Sequence, residues 1–164
     1  MRVLGIDPGT MILGYGVIEG RGDMISLVGY DVIKCRPRLT MGERLHFLYL
    51  NLCRVIEQYQ PDVIAIETPF VSENARTALV IGKAQAIALL AAATSHIPAF
   101  EYSPAAIKYS ATSYGASSKE QVQEMVKLQL NIKGESLPAD SADALATAIC
   151  HLRQEHMNNI AGGK

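Results

Sequence analysis

Four carboxylates in this chain sit where an acid is hard to explain by structure alone. Asp7 closes the apolar run Met1-Arg2-Val3-Leu4-Gly5-Ile6 and leads directly into Pro8-Gly9-Thr10. Sixty residues later, Val63-Ile64-Ala65-Ile66 runs into Glu67, then Thr68-Pro69. An acid on a buried strand is costly unless something cationic neutralises it. Two strands that each end this way suggest one shared cation. Asp140 and Asp143 stand three apart at the start of a final helix, so they share a face. Acids at a helix start often serve only the helix dipole, with Asp140 as the cap. Asp143, however, interrupts the apolar face of Ala142, Ala144, Leu145 and Ala146. Four carboxylates, without His nearby in the sequence or a useful Cys, point to hard cations, Mg2+ or Mn2+. Such clusters most often serve two-metal phosphodiester hydrolysis, with ions about 4 Å apart activating water and stabilising the leaving oxygen. The ions would also offset the repulsion among the acids.

The elements that must position these acids can be read from periodicity. Residues 2–7 look like a central strand, 13–19 a second, and 24–34 a third, with Gly20-Arg21-Gly22-Asp23 as the turn. Apolar positions at 41, 45, 48, 52, 55, 56 and 59 predict a helix, capped by Thr40 and stopped by Pro61. A strand at 62–67, a helix at 74–95 and a strand at 99–102 follow, then helices near 103–112, 118–130 and 140–155. A three-strand meander followed by alternating helices and strands predicts an α/β mixed five-stranded sheet in the order 3-2-1-4-5, flanked by helices. In that order Asp7 and Glu67 end neighbouring parallel strands, where ligand sites of open α/β sheets lie. One domain over 1–156 and a flexible tail over 157–164 are expected.

Composition narrows the class. With 49% hydrophobic and 19% charged residues in 164, the chain is globular rather than disordered. The longest apolar stretch, 84–94, reads as too short to span a bilayer, so no membrane partner is expected. Met1 leads straight into a strand without a visible signal peptide, and the expected location is cytoplasmic. Cys35, Cys53 and Cys150 are widely spaced and read as reduced core thiols. Net charge is −1, which argues against a nucleic-acid partner until the acids are sorted. Setting the four candidate ligands aside from 16 acids leaves 12 against 15 Lys and Arg. Lys34, Arg36, Arg38 and Arg44 cluster with only Glu43 among them; a solvated loop explains them as well as a partner does.

The ordered set of motifs resembles RuvC-type Holliday-junction resolvases. The likeness begins with Val3-Leu4-Gly5-Ile6-Asp7-Pro8-Gly9-Thr10 and Gly14-Tyr15-Gly16-Val17-Ile18. It continues through Ile64-Ala65-Ile66-Glu67, Phe70 with Asn74-Ala75, Phe100-Glu101-Tyr102, Lys108, and Lys119 with Gln121-Val122-Gln123. It ends in Ala139-Asp140-Ser141-Ala142-Asp143-Ala144-Leu145-Ala146. The resemblance implies a ribonuclease-H-like fold, a homodimer, and paired nicking of four-way junction DNA that depends on two Mg2+ per site, with Mn2+ as a substitute. It also implies a branch-migration helicase complex of the RuvA–RuvB type as partner. Asp7, Glu67, Asp140 and Asp143 match the family's metal-binding acids, though some relatives carry His where Asp140 stands. Phe70 matches an aromatic that stacks on a base near the crossover, its alternative being a core Phe. Lys108 and Lys119 match basic residues near the scissile phosphate, and either could be a plain surface Lys. Arg76 could track the DNA backbone. This chain departs from the pattern at Met11-Ile12-Leu13, where relatives often carry a polar or basic residue, and in lacking an extended basic tail.

Three rivals deserve a test. Gly5-Ile6-Asp7 with Gly9-Thr10 also resembles the opening of actin-like ATPases and sugar kinases, but those need a second phosphate loop that 164 residues do not supply. Another ribonuclease-H-like nuclease, of the kind that processes ribosomal RNA precursors, would show a different acidic set. A junction-binding module without activity gains nothing from clustered negative charge facing DNA phosphates.

Overall fold

Alternation along two short strands sets the two faces of this protein. In Val3-Leu4-Gly5-Ile6 and Val63-Ile64-Ala65-Ile66 the even positions pack into one core cluster, and Val3, Val63 and Ala65 into another. The computed structural model describes residues 1–22, 24–68, 75–133 and 136–162, with side chains described throughout except at 75–76 and 160–162. Chain order runs β1 (Arg2–Asp7), β2 (Ile12–Arg21), β3 (Met24–Lys34), α1 (Met41–Tyr59), β4 (Val63–Glu67) and α2 (Ala75–Thr94). It finishes with β5 (Ala99–Tyr102), α3 (Pro104–Thr112), α4 (Lys119–Gln129) and α5 (Ala139–Gly162).

The sheet order is β3-β2-β1-β4-β5, as the sequence predicts. β2 is antiparallel to both its neighbours, whereas β1, β4 and β5 run parallel. The backbone N–H of Arg2 donates to Asp62 Oδ2 at 2.6 Å, tying the start of β4 to the start of β1. Register then places Val3 opposite Val63 and Ile6 opposite Ile66. One face carries Leu4, Ile6, Ile64 and Ile66 beneath Leu48, Leu52 and Ile56 of α1 and Ala88, Ala91 and Ala92 of α2. The opposite face carries Val3, Val63 and Ala65 beneath α3, α4 and the Leu145–Cys150 stretch of α5. Each large aliphatic side chain so buried contributes about 1.5–3 kcal/mol.

Helix ends follow local chemistry. Thr40 caps α1 in a reciprocal pair: its hydroxyl accepts from the Glu43 N–H at 3.4 Å, and the Glu43 carboxylate accepts from the Thr40 N–H at 2.7 Å. Gln60, at φ 46°, closes that helix ahead of Pro61.

Three expectations need correction. Asp140 is not the cap of α5, because the helix starts at Ala139 and Asp140 lies inside its first turn. The helix expected over 140–155 continues to Gly162, so most of the tail assigned to 157–164 is helical. The apolar stretch counted as 84–94 extends over Thr77–Thr94 of α2, long and apolar enough by composition to cross a membrane. Its inner face packs Ala84, Ala88, Ala91 and Ala92 on the protein core, which is why the composition is apolar there. The same helix leaves Leu79, at 71%, and Leu90, at 49%, exposed on its outer side.

Candidate active site

Asp7 and Glu67 directly follow the paired residues Ile6 and Ile66 on adjacent parallel strands, about 4.8 Å apart. Counting by twos from Val3 and from Val63 turns both carboxylates toward the face covered by α5. Tyr102, at the end of β5, fixes the exit from β4. Its carbonyl accepts from both the N–H of Thr68, at 2.8 Å, and the Thr68 hydroxyl, at 3.1 Å.

The other two acids arrive because α5 lies hard against the sheet. A Cβ on Gly5 would collide with the Ala144 carbonyl, and one on Gly14 with the carbonyl and Cβ of Asp140. Gly14 is the β2 residue paired with Asp7, so the first turn of α5 rests beside the Asp7 strand end. The Ser141 hydroxyl donates to the Asp31 carbonyl at 2.9 Å and pins this turn to β3. One turn on, Asp143 faces α4, and Lys119 Nζ lies 2.5 Å from Asp143 Oδ2. Lys119 is the first residue of α4, held there by a reciprocal cap. The Gln121 N–H donates to Ser118 Oγ at 3.2 Å, and the Ser118 N–H to Gln121 Oε1 at 2.8 Å. Lys108, on α3, completes a cleft of about 170 Å3 lined by Glu67, Lys108, Lys119 and Asp143, with Ile107 and Val122 as apolar walls. A larger cavity of about 510 Å3, lined by Tyr114 and Glu124 among others, contains none of the four acids.

Electrostatics mark the strand ends as strained. Asp7 is pushed up to about 7, first by burial and then by Glu67, Asp143 and Asp140, with Lys119 opposing. Glu67 is also pushed up to about 7, by burial and then by Asp143, with Lys119 and Lys108 opposing. The hydrogen bond to Asp143 is the main reason that the Lys119 ammonium is held above its ordinary value. Two lysines therefore face four carboxylates. That donor set, all oxygen and under-compensated, fits divalent cations of the Mg2+ type. Among the described residues no three of these side chains yet converge on one point. Lys119 occupies Oδ2 of Asp143 and competes there with any cation.

All four acids foreseen from the sequence thus share one locality, and Lys108 and Lys119 border it. Phe70, and the side chain of Arg76, lie outside the described residues. The Lys119–Asp143 pair was not foreseen, nor were Gly5 and Gly14 as the points of close approach. Glycine at alternate positions of a buried strand was the available signal. His151 was also missed. It is buried, its Nδ1 lies 2.7 Å from the Tyr102 hydroxyl, and its ring centroid lies 5.0 Å from that of Phe100, so it braces β5 against α5.

Known proteins resemble this chain in sequence and in fold. The family model described as crossover junction endodeoxyribonuclease RuvC matches residues 3–151. A protein of that name from Dehalococcoides mccartyi is 51% identical over 160 residues, covering 98% of this chain and 96% of the relative. One from Desulforamulus reducens is 49% identical over 151 residues, covering 92% and 93%. Among solved structures, Thermus thermophilus RuvC in complex with Holliday junction substrate aligns with a TM-score of 0.90 and 31% identity over 96% of each chain. The yeast mitochondrial Holliday junction resolvase Ydc2 shares the fold, with a TM-score of 0.67 and 19% identity, over 96% of this chain and 80% of its own.

Proposed function

The chain belongs to the crossover junction endodeoxyribonuclease RuvC family, and on that premise we propose that it resolves four-way DNA junctions by paired, symmetric nicking at the Asp7 site. The observation that carries this reading is that Asp7 and Glu67, from neighbouring strand ends, share one locality with Asp140 and Asp143 from α5, close enough for their charges to couple. A half-buried group of four acids facing DNA phosphates calls for cations between them. Asp7, Glu67, Asp140 and Asp143 would hold two Mg2+ per site, or Mn2+, which when bound supply the charge that activates water and steadies the leaving oxygen.

The remaining work falls to the chain's own groups. Lys119, at the N-terminus of α4, has an ammonium at the positive end of the helix dipole with which to orient a phosphate. Release from Asp143 would let its ammonium turn to that phosphate. Lys108 approaches from α3 on the Glu67 side of the cleft. Phe70, in the segment that follows Glu67, would stack on a base opened near the crossover, since an aromatic face holds an unpaired base without strict sequence demand. Arg76 would contact the backbone nearby.

A two-fold junction calls for two sites related by a matching axis, hence a homodimer. The outer face of α2 supports that reading. Leu79, Ala86, Leu89 and Leu90 are exposed there, and a Cβ on Gly82 would meet open space. The protein would act in the cytoplasm, as one domain over 1–156, with a RuvA–RuvB-type branch-migration complex as partner. The test is incubation with a synthetic four-way junction, a linear duplex and an RNA hairpin, in Mg2+ or in EDTA. Symmetric nicks in the junction alone, and only with Mg2+, are expected. Equal cutting of the duplex or the hairpin overturns the assignment.

A further inference from the structure

A second basic surface, apart from Lys108 and Lys119, lies at the same end of the sheet as Asp7. β3 ends at Lys34, and Arg36-Pro37-Arg38-Leu39 then forms a turn closed by the Leu39 N–H donating to the Arg36 carbonyl at 3.3 Å. Proline at the second position suits such a turn and holds Arg36 and Arg38 outward, both exposed. The Cys35 N–H donates to the Met11 carbonyl at 2.8 Å, so this turn is tied to the loop that leaves Asp7. Arg54, exposed on α1, adds a fourth cation across a groove of about 330 Å3 also lined by Lys34, Phe47 and Asn51.

Neighbouring acids leave these cations free. Between Lys34 and Arg54 the sole acid is Glu43, whose carboxylate is taken by Thr40. Asp31 accepts from the Val32 N–H at 2.7 Å, and Glu57 lies one turn beyond Arg54 on α1. Among the described residues neither Lys34, Arg36, Arg38 nor Arg54 forms an ion pair. Arg44 is different: its Nε donates to the Leu39 carbonyl at 3.0 Å and braces the turn. Four exposed, unpaired cations on a hydrogen-bonded scaffold match a phosphate backbone better than they match solvent.

Position decides which backbone. Asp7 pairs with Gly14, and Lys34 pairs with Ile12 two residues further out and one strand further over. Strand spacing and rise put Lys34 about 12 Å from Asp7, comparable to the ~12 Å width of the major groove. We propose that Lys34, Arg36, Arg38 and Arg54 form a second phosphate-binding ridge, which grips a duplex arm of the junction across a groove from the strand at the nuclease site. This inference rests on the junction-resolvase reading and adds the surface that holds the arm.

The experiment measures binding of a labelled four-way junction across a range of KCl in EDTA, with K34Q, K34Q/R36Q/R38Q/R54Q and K127Q. Lys127 is a control cation, already paired with Glu124 on α4 at 2.8 Å. Each phosphate contact contributes about 0.9 to the slope of log K against log salt. The quadruple variant is therefore expected to show a slope shallower by about 3.6 and to bind at least ~10-fold more weakly near 0.1 M salt. Wild-type affinity and slope in the quadruple variant overturn the ridge, as do equal losses in K34Q and K127Q. A wild-type protein that does not prefer the junction to duplex DNA overturns the resolvase reading itself.

Discussion

Replacing Asp7 by Asn should stabilise the metal-free protein while destroying its activity. Asp7 is raised from 3.8 to about 7 by burial and by three neighbouring acids. A group raised on folding contributes stability that is complete below its unfolded value and lost as pH climbs through its folded value. At pH 8 the ionised Asp7 therefore costs the fold about 4 kcal/mol relative to a neutral side chain, at about 1.36 kcal/mol per pH unit. Asn keeps the shape and removes the charge, but burying its amide returns about 2 kcal/mol of that gain. A net stabilisation of about 2 kcal/mol, or a Tm higher by about 4–8 °C for a chain of this size, is expected at pH 8. At pH 5 the difference should shrink, because Asp7 is then largely protonated in the fold. The assay is thermal unfolding in EDTA at pH 5 and pH 8, at one protein concentration. Adding Mg2+ should raise the wild-type Tm by mass action and move Asp7→Asn much less. A variant less stable than wild type at pH 8, or a gap that does not vary with pH, refutes the electrostatic reasoning.

Other substitutions separate the roles of the remaining groups. Asp143→Asn should abolish nicking in Mg2+ yet leave junction binding intact or tighter, since it also releases Lys119; gel-shift and cleavage assays on one preparation check both. Phe70→Ala should lower the cleavage rate at least ~10-fold, with a smaller loss of affinity, in line with about 1–3 kcal/mol for a stacked base; unchanged cleavage removes Phe70 from the site. Leu79→Glu with Leu90→Glu should shift sedimentation from dimer to monomer and convert paired nicks to single ones; a dimer that survives both changes moves the interface off α2.

The architecture was legible because a few local rules agreed. The unbroken apolar runs Val3–Ile6 and Val63–Ile66 marked strands buried on both faces, and the order of elements left little freedom in joining them. The acids were legible because each broke an apolar pattern. What escaped was set by contacts between distant segments. Lys119 and Asp143 are 24 positions apart, and no local pattern links them. Gly5 and Gly14 declare their purpose only once α5 lies on top of them. Asn158-Asn159 read as part of a flexible tail because terminal residues tend to fray, yet α5 continues through both. The apolar span of α2 was undercounted because Lys83 and Gln85 interrupt it, although the helix turns both away from its Ala84–Ala88–Ala91 seam.

The central claim is that four acids, gathered from two strand ends and one helix, form a site for two divalent ions. Crystals soaked in Mn2+ test it most directly, by anomalous scattering. Two peaks per protomer are expected among Asp7, Glu67, Asp140 and Asp143, with the Lys119–Asp143 ion pair opened. Crystals that bind Mn2+ elsewhere, with that pair intact and no peak among the four acids, would contradict the account.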